Sequence, residues 1–377
     1  MKICILGAGL IGTAMAMDLS SCNEFNVASV DFSEKRLEQL NSFNNIRKIK
    51  CDLSDNKVLS EVVREFDLVV NALPSVMGYS VLKTIIETGK DVVDITFFEE
   101  DPFTLSELAE KKNVTAIVDC GIAPGMSNIL TGYISNLLDE TSKVRIYVGG
   151  VPLVKEYPWE YKAGFAPEDV INEYMRPARY VKAGKIISVP ALTEPELLEF
   201  EDAGILEAFN TDGLRSLLST ISAPDMKEQT LRYPGHIEKI LMLKASGFFS
   251  ETPIIINGQE IKPIEFTSTI LFPHWTMTNG DEDMTVFRVE VSGIKNGKEV
   301  KYTYNMVDKY DKETHVHSMA RSTGYTATSV VKMFARKLLT QKGLIVPEYI
   351  GKNEAAVNFL LASMKEKGIE FKFKVSI

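Results

Sequence analysis

Lys2-Ile3-Cys4-Ile5-Leu6 runs directly into Gly7-Ala8-Gly9-Leu10-Ile11-Gly12, and the reading of this stretch decides the fold. The first five residues form the short apolar run that a strand buried on both faces of a parallel sheet requires. Gly7 permits a tight turn, Gly9 leaves room for a pyrophosphate to approach the backbone, and Gly12 lets the next helix lie close to the strand. That helix is expected over 11–21, with Leu10 and Ile11 at its mouth and its unpaired N–H groups facing the phosphates. A second strand over 26–30 brings Asp31 to its carboxyl end. A carboxylate there accepts both ribose hydroxyls of adenosine and repels a 2′-phosphate, so NAD is expected as cofactor, with NADP not excluded. Lys35 and Arg36 lie just beyond and can neutralise a phosphate, but are read as solvated helix residues.

With 377 residues the chain is too long for one ordinary core, and two domains are expected. The net charge of −9 is spread without long acidic or basic blocks, which gives no reason to expect nucleic acid or an anionic membrane as partner. No apolar run approaches the length of a membrane span and the first strand begins at Lys2, so a cytoplasmic protein without a secretory leader is expected. Cys4, Cys22, Cys51 and Cys120 are scattered and form no Cys-x-x-Cys pair, which suggests neither a disulfide framework nor a zinc site.

A helix over 33–43 and a strand over 46–52 follow, with Asp52 placed either to meet the adenine amino group or to cap a helix. The strand over 67–71 ends in Asn71, and Ala72-Leu73-Pro74 leaves its carboxyl end, where the nicotinamide half of a dinucleotide would lie. Helices over 76–88 and 105–112 and strands over 91–96 and 115–119 complete six strands alternating with helices, a doubly wound Rossmann sheet of the α/β class. Two glycines and a proline within 121–125 stop the periodicity and mark a crossover into a second domain. From there strands are expected over 144–149, 185–189, 205–210, 230–233, 264–272, 285–291 and 299–307, with helices over 127–138 and 166–174. They imply an α+β domain with a mixed, largely antiparallel sheet, and Asn296-Gly297 signals a hairpin with a slightly longer loop. Helices over 325–340, after Ser322-Thr323-Gly324, and over 353–367 are expected to return to the first domain. The domains are therefore 1–124 completed by 318–377, and 125–317.

The chain resembles the saccharopine dehydrogenase superfamily and, within it, the lysine 6-dehydrogenases. The resemblance rests on DCGIAPGMSN (119–128), GGVP (149–152), WEYKAGFAPEDV (159–170), NTDGLRSLLST (210–220), TLRYPGH (230–236) and SMARSTGYTA (318–327). It implies a homodimeric enzyme that oxidatively deaminates the ε-amine of L-lysine with NAD. Hydride passes from Cε to nicotinamide, and water then yields the semialdehyde, which cyclises to a piperideine carboxylate, plus ammonia.

Such chemistry needs a cation for the carboxylate, an acceptor for an ammonium and a base that frees the amine. Arg232 can grip a carboxylate bidentately on the strand face opposite Tyr233, and His236, just past a Pro-Gly turn, is the candidate base. Asp119 can hold an amine, orient water or cap the turn after it; Cys120 is read as pocket lining; Asp94 is a weaker acid that burial against Thr96 would also explain. Gly149 and Gly150 either admit substrate to the backbone or simply make a turn, Tyr161 and Lys162 can wall the pocket, and Thr211-Asp212-Gly213 is read as a helix cap in preference to a substrate contact. His315 and His317 lack companions for a metal, and the segment 319–324 with Arg321 clamps either the cofactor or the domain interface. Saccharopine dehydrogenation is the alternative; it needs a second cation beside Arg232, from Lys162, Arg176 or Arg179. A non-catalytic NAD-binding regulator is the third reading.

Overall fold

The computed structural model describes residues 1–278 and 280–377. A parallel sheet of seven strands runs in the order Gly343–Ile345, Thr115–Ile117, Asp91–Asp94, Leu68–Asn71, Lys2–Leu6, Asn26–Asp31, Ile46–Lys50. Lys2–Leu6 pairs with Asn26–Asp31 on one side and Leu68–Asn71 on the other. Chain order reverses there, and open α/β sheets leave a crevice at such a point. Ile3, Cys4, Ile5 and Leu6 are all fully buried, because helices cover both faces of the sheet.

The edge strand Gly343–Ile345 was not expected; it adds parallel to Thr115–Ile117 from more than two hundred residues away, and three residues are too few for periodicity to reveal. The helix expected over 33–43 closes early, as Glu34–Glu38 capped by the Ser33 hydroxyl. Asn41, Ser42, Asn44 and Asn45 follow, and such side chains compete with helical backbone bonds.

The second sheet runs Glu196–Phe200, Gly204–Asn210, Asp225–Arg232, Glu140–Pro152, Asp283–Lys295, Lys298–Lys309, Lys372–Ser376, with Ala178–Lys182 and Lys185–Val189 branching from Asp225–Arg232. Asp225–Arg232 and Glu140–Pro152 are parallel and the other pairs antiparallel. The Asn296-Gly297 hairpin is tighter than expected: Lys295 pairs with Lys298, and both turn residues take positive φ (52° and 74°), the combination a two-residue turn between twisted strands demands. The strand expected over 264–272 is instead the helix Pro263–Trp275. Its buried residues Thr267, Leu271 and Trp275 recur every fourth position, a helical period hidden in a run rich in β-branched and aromatic residues.

The helix expected to start after Ser322-Thr323-Gly324 starts earlier, as Ser318–Ala335, and carries that triplet in its interior. A Cβ on Gly324 would lie 3.1 Å from Met15 Cγ, so the glycine permits a close crossing with the helix Leu10–Ser20. Thr328, Lys332 and Lys367 converge on buried Asp18 of that first helix, and burial of the aspartate is offset by the two ammonium groups. The tail does not serve the first domain alone, since Lys372–Ser376 pairs with Lys298–Lys309 in the second sheet.

Candidate active site

A cleft of about 770 Å³ opens at the carboxyl end of the first strand and is lined from both sheets. At one end lie Gly7 to Gly12 and Ala72-Leu73-Pro74. The three glycines of the turn do different work. A Cβ on Gly7 would sit 2.6 Å from the Ala72 oxygen, and Gly7 holds φ +98°; a Cβ on Gly12 would sit 2.0 Å from the Gly7 oxygen. Gly9 meets nothing within 4 Å, so its missing side chain leaves open space in the cleft at the N-terminus of the helix Leu10–Ser20. That cradle fits a dinucleotide pyrophosphate.

Asp31 lines the cleft while accepting the Ala8 N–H at 2.8 Å and the Ser33 N–H at 2.8 Å. Arg36 is the half-exposed helix residue expected, and its guanidinium also lies 3.7 Å from Asp31 in the cleft wall, so a cation stands beside the acid that was to repel a phosphate. Asp52 also lines the cleft, and the helix after it is capped by Asp55 instead. Asn71 is not in the cleft wall; it is fully buried and donates to Asp94 Oδ2 at 2.7 Å.

The far end takes its polar groups from two elements. The strand Asp225–Arg232 sends Glu228, Thr230 and Arg232 to one face by its two-residue period, and the helix Pro167–Met175 presents Asp169 and Glu173, with Arg176 as its C-cap, at helical spacing. Arg232 donates from Nε to the Tyr174 hydroxyl at 3.1 Å and lies over the Tyr161 ring at 4.5 Å, with Glu173 Oε2 at 3.6 Å from Nη2. Among the described residues Arg176 has one hydrogen-bond partner, Glu99 at 3.3 Å, and lies over the Phe97 ring at 5.0 Å, while its buried Nε and Nη1 have no hydrogen-bond partner. Burial pushes the Glu228 carboxyl up to about 8, against the lowering effect of the Thr211 hydroxyl and the Gly213 N–H.

Several expected site residues lie elsewhere. His236 is 1% exposed and outside the cleft wall. Its Nδ1 faces the Trp159 carbonyl at 3.1 Å, which can only accept, so Nδ1 carries the proton and Nε2 accepts from the Tyr174 hydroxyl at 3.0 Å. Burial, reinforced by the Arg232 charge, drives its pKa down to about 3, so His236 stays neutral and orients Tyr174 rather than serving as the base. Asp119 is likewise outside the cleft wall, ion-paired with buried Arg215 at 3.1 Å. Asp94, the last residue of its strand, is fully buried and bonded by Asn71 and Thr96, and burial raises it to about 7. Cys120 is fully buried, with its thiol pushed up by burial, and does not line the cleft. Tyr233 faces away and donates to the Pro152 carbonyl at 2.9 Å. Lys162 is paired with Asp281 at 2.7 Å, outside the cleft, and Tyr161 backs Arg232 from behind. Gly149 and Gly150 do line it; a Cβ on Gly150 would meet Met319 Cε at 2.6 Å.

Thr211-Asp212-Gly213 is no helix cap: all three line the cleft, and Asp212 holds Arg179 in a two-pronged ion pair. Arg321 is buried against Asp308 and the Lys367 carbonyl, a domain-interface role, while Met319 and Thr323 of the same helix reach the cleft. His315 and His317 bond separately to the Tyr310 hydroxyl and the Asp281 carbonyl. Glu173, Glu228 and Thr230 were missed, though alternation from Arg232 back to Thr230 and Glu228 was a readable signal.

Fold and cleft together set a dinucleotide cradle at the glycine turn opposite the polar side chains of the second sheet. Residues 3–117 match the saccharopine dehydrogenase NADP binding domain and residues 121–369 the saccharopine dehydrogenase C-terminal domain, and the chain belongs to the saccharopine dehydrogenase family. It is 25% identical over 249 residues to the mitochondrial alpha-aminoadipic semialdehyde synthase of Mus musculus, a match that takes in 62% of this chain and only 27% of that protein. The NADP(+)-dependent, L-glutamate-forming saccharopine dehydrogenase of Saccharomyces cerevisiae is 24% identical over 287 residues, 71% of this chain and 62% of that one. Carboxyaminopropylagmatine dehydrogenase of Synechocystis is 20% identical over 81% of each chain. Among solved structures, apo saccharopine dehydrogenase (L-Glu forming) from Saccharomyces cerevisiae superposes with a TM-score of 0.81 at 19% identity over the full length of both chains. Homospermidine synthase from Legionella pneumophila, in complex with NAD, gives 0.69 at 11% identity over 100% of this chain and 91% of that one. Both share the fold.

Proposed function

We propose that this chain oxidises the ε C–N bond of lysine or of a lysine-derived amino acid with NAD(P), free L-lysine being the simplest substrate. The observation that carries the reading is Glu173 in the cleft wall with Arg232 at 3.6 Å: an acid for the amine nitrogen beside a cation for a carboxylate. The bound dinucleotide supplies the hydride acceptor. Arg232 stays charged, held by two tyrosines and Glu173, and grips a carboxylate. Glu173 takes the proton that the ammonium must lose before its carbon can be oxidised. With lysine the products are the semialdehyde, which closes to the piperideine carboxylate, and ammonia. A homodimer in the cytoplasm belongs to this reading.

One observation favours a second substrate, an opine-type secondary amine such as saccharopine, which carries additional carboxylates. Of the three candidate second cations, Lys162 and Arg179 are each held by a largely buried aspartate, whereas Arg176 lines the cleft, pairs through Nη2 with the exposed Glu99, and has no hydrogen-bond partner for Nε and Nη1 among the described residues. The test offers purified protein lysine, saccharopine and other diamino acids with NAD or NADP and follows reduced cofactor. Ammonia release from lysine supports the first substrate and glutamate release from saccharopine the second. Arg176→Gln then raises KM for saccharopine roughly ten- to a hundredfold, the worth of about 1.5–3 kcal/mol for hydrogen bonds to a charged group, and leaves lysine nearly unchanged. Tight cofactor binding without turnover of any amine overturns both and leaves the regulatory reading.

A further inference from the structure

Four side-chain oxygens form an unbroken line from the cleft into the second domain. Glu173 Oε1 lies 2.5 Å from Thr230 Oγ1, Thr230 Oγ1 lies 2.8 Å from Thr211 Oγ1, and Thr211 Oγ1 lies 2.7 Å from Glu228 Oε2. Each contact is a hydrogen bond only if a proton lies in it, and oxygens this close without one would repel. The line has three contacts, whereas its two hydroxyls bring two protons. The third must sit on a carboxyl group. We infer that Glu173 and Glu228 share a single proton through Thr230 and Thr211, and that this line is the acid–base relay of the site: Glu173 touches the substrate amine and Glu228 stores the proton.

The surroundings decide which end holds the proton at rest. Glu228 is 4% exposed, and a Cβ on Gly213 would lie 2.3 Å from its Cδ, so the loop closes over the carboxyl and only glycine fits there. The charged groups facing it are Glu173 on the helix Pro167–Met175, Asp212 with its partner Arg179, and Arg232 further along its own strand face. Its neighbour on the adjoining strand, Ile146, carries no charge. Burial first, with the nearby charges of Glu173 and Asp212, outweighs the hydrogen bonds from Thr211 and Gly213, and the carboxyl is pushed up to about 8. Glu173 sits against Arg232 and holds the anionic end. When alkaline solvent has taken the shared proton, one of the three contacts opens; the ammonium then gives a proton to Glu173, Thr230 and Thr211 each pass one on, the line closes again, and Glu228 ends protonated. The freed amine keeps the electron pair that drives hydride from the adjacent carbon to the dinucleotide. In reduction the same line runs backwards and returns the proton to nitrogen.

This inference rests on the amine-oxidation reading for its chemistry but not for its shared proton, and the experiment separates the two. In amine oxidation, kcat/KM rises as pH passes about 8, and Glu228→Gln abolishes that rise. Thr230→Val lowers kcat by roughly a hundredfold, the scale of general acid–base catalysis, while Thr230→Ser restores it and the cofactor Kd stays fixed in both. Infrared difference spectroscopy of the protein without substrate shows a carboxylic C=O band that disappears over the same pH range and is missing in Glu228→Gln. An alkaline rise that survives in Glu228→Gln, or the absence of that band from the wild type, overturns the relay. The band without turnover of any amine overturns the function proposed above and leaves the shared proton standing.

Discussion

Arg215 and Asp119 face one another at 3.1 Å with both side chains buried, and Arg215 Nη1 continues to the Phe98 carbonyl at 2.7 Å. The pair ties the loop leaving the sixth parallel strand to the second domain, so an acid that sequence position recommends for catalysis is a tether. Removing one member of a buried pair leaves the other charge uncompensated. Asp119→Ala is expected to lower unfolding stability by about 3–5 kcal/mol, with kcat of the folded fraction nearly retained. Urea denaturation beside turnover measures both; lost turnover at full stability would return Asp119 to the reaction.

His236 makes a pH prediction of opposite kind. Its imidazole is buried neutral, with a folded pKa near 3 against 6.5 unfolded. Below 6.5 the unfolded chain takes up a proton that the native one refuses, so its contribution to stability is intact above that pH and is lost as pH falls towards 3, by about 1.4 kcal/mol per unit. His236→Gln is expected to flatten the slope of denaturation midpoint against pH in this window. An unchanged slope would mean that the imidazole is charged in the native protein.

The glycine turn separates folding from binding. Gly9→Ala projects a methyl into the cleft and is expected to weaken dinucleotide binding at unchanged melting temperature, whereas Gly12→Ala drives a methyl against the Gly7 carbonyl and costs about 1–3 kcal/mol of stability. Calorimetric titration with NAD and NADP, paired with thermal melts, reads both.

Cofactor choice turns on Asp31 and Arg36. Asp31→Ala is expected to weaken NAD more than NADP, and Arg36→Ala to weaken NADP more than NAD, each by roughly tenfold, the worth of about one charge-assisted hydrogen bond. Equal loss of both cofactors in either variant, by fluorescence titration, would remove these residues from phosphate discrimination.

Local pattern sufficed where a single element carries the information. The first strand, its glycine turn, the helix after it and the place of the Asn296-Gly297 hairpin, though not its two-residue length, follow from spacing and backbone chemistry that a few adjacent residues express. It failed where a short element borrows its stability from distant chain: Gly343–Ile345 exists because Thr115–Ile117 offers an open edge, and the helix Pro263–Trp275 because Thr267, Leu271 and Trp275 find a core to face.

The amino-acid order alone determined that a dinucleotide cradle opens the chain and that Arg232 stands on a strand with Tyr233 on its other side. Only the tertiary structure decided which polar side chains meet. His236 and Asp119 have the chemistry of a base and an acid, yet burial gives each a fixed partner, whereas Glu173, Thr230, Thr211 and Glu228 come from three separate segments and align only when helix, strand and loop pack together. A side chain's reactivity depends on its neighbours and on its access to water, and neither is written in its own position along the chain.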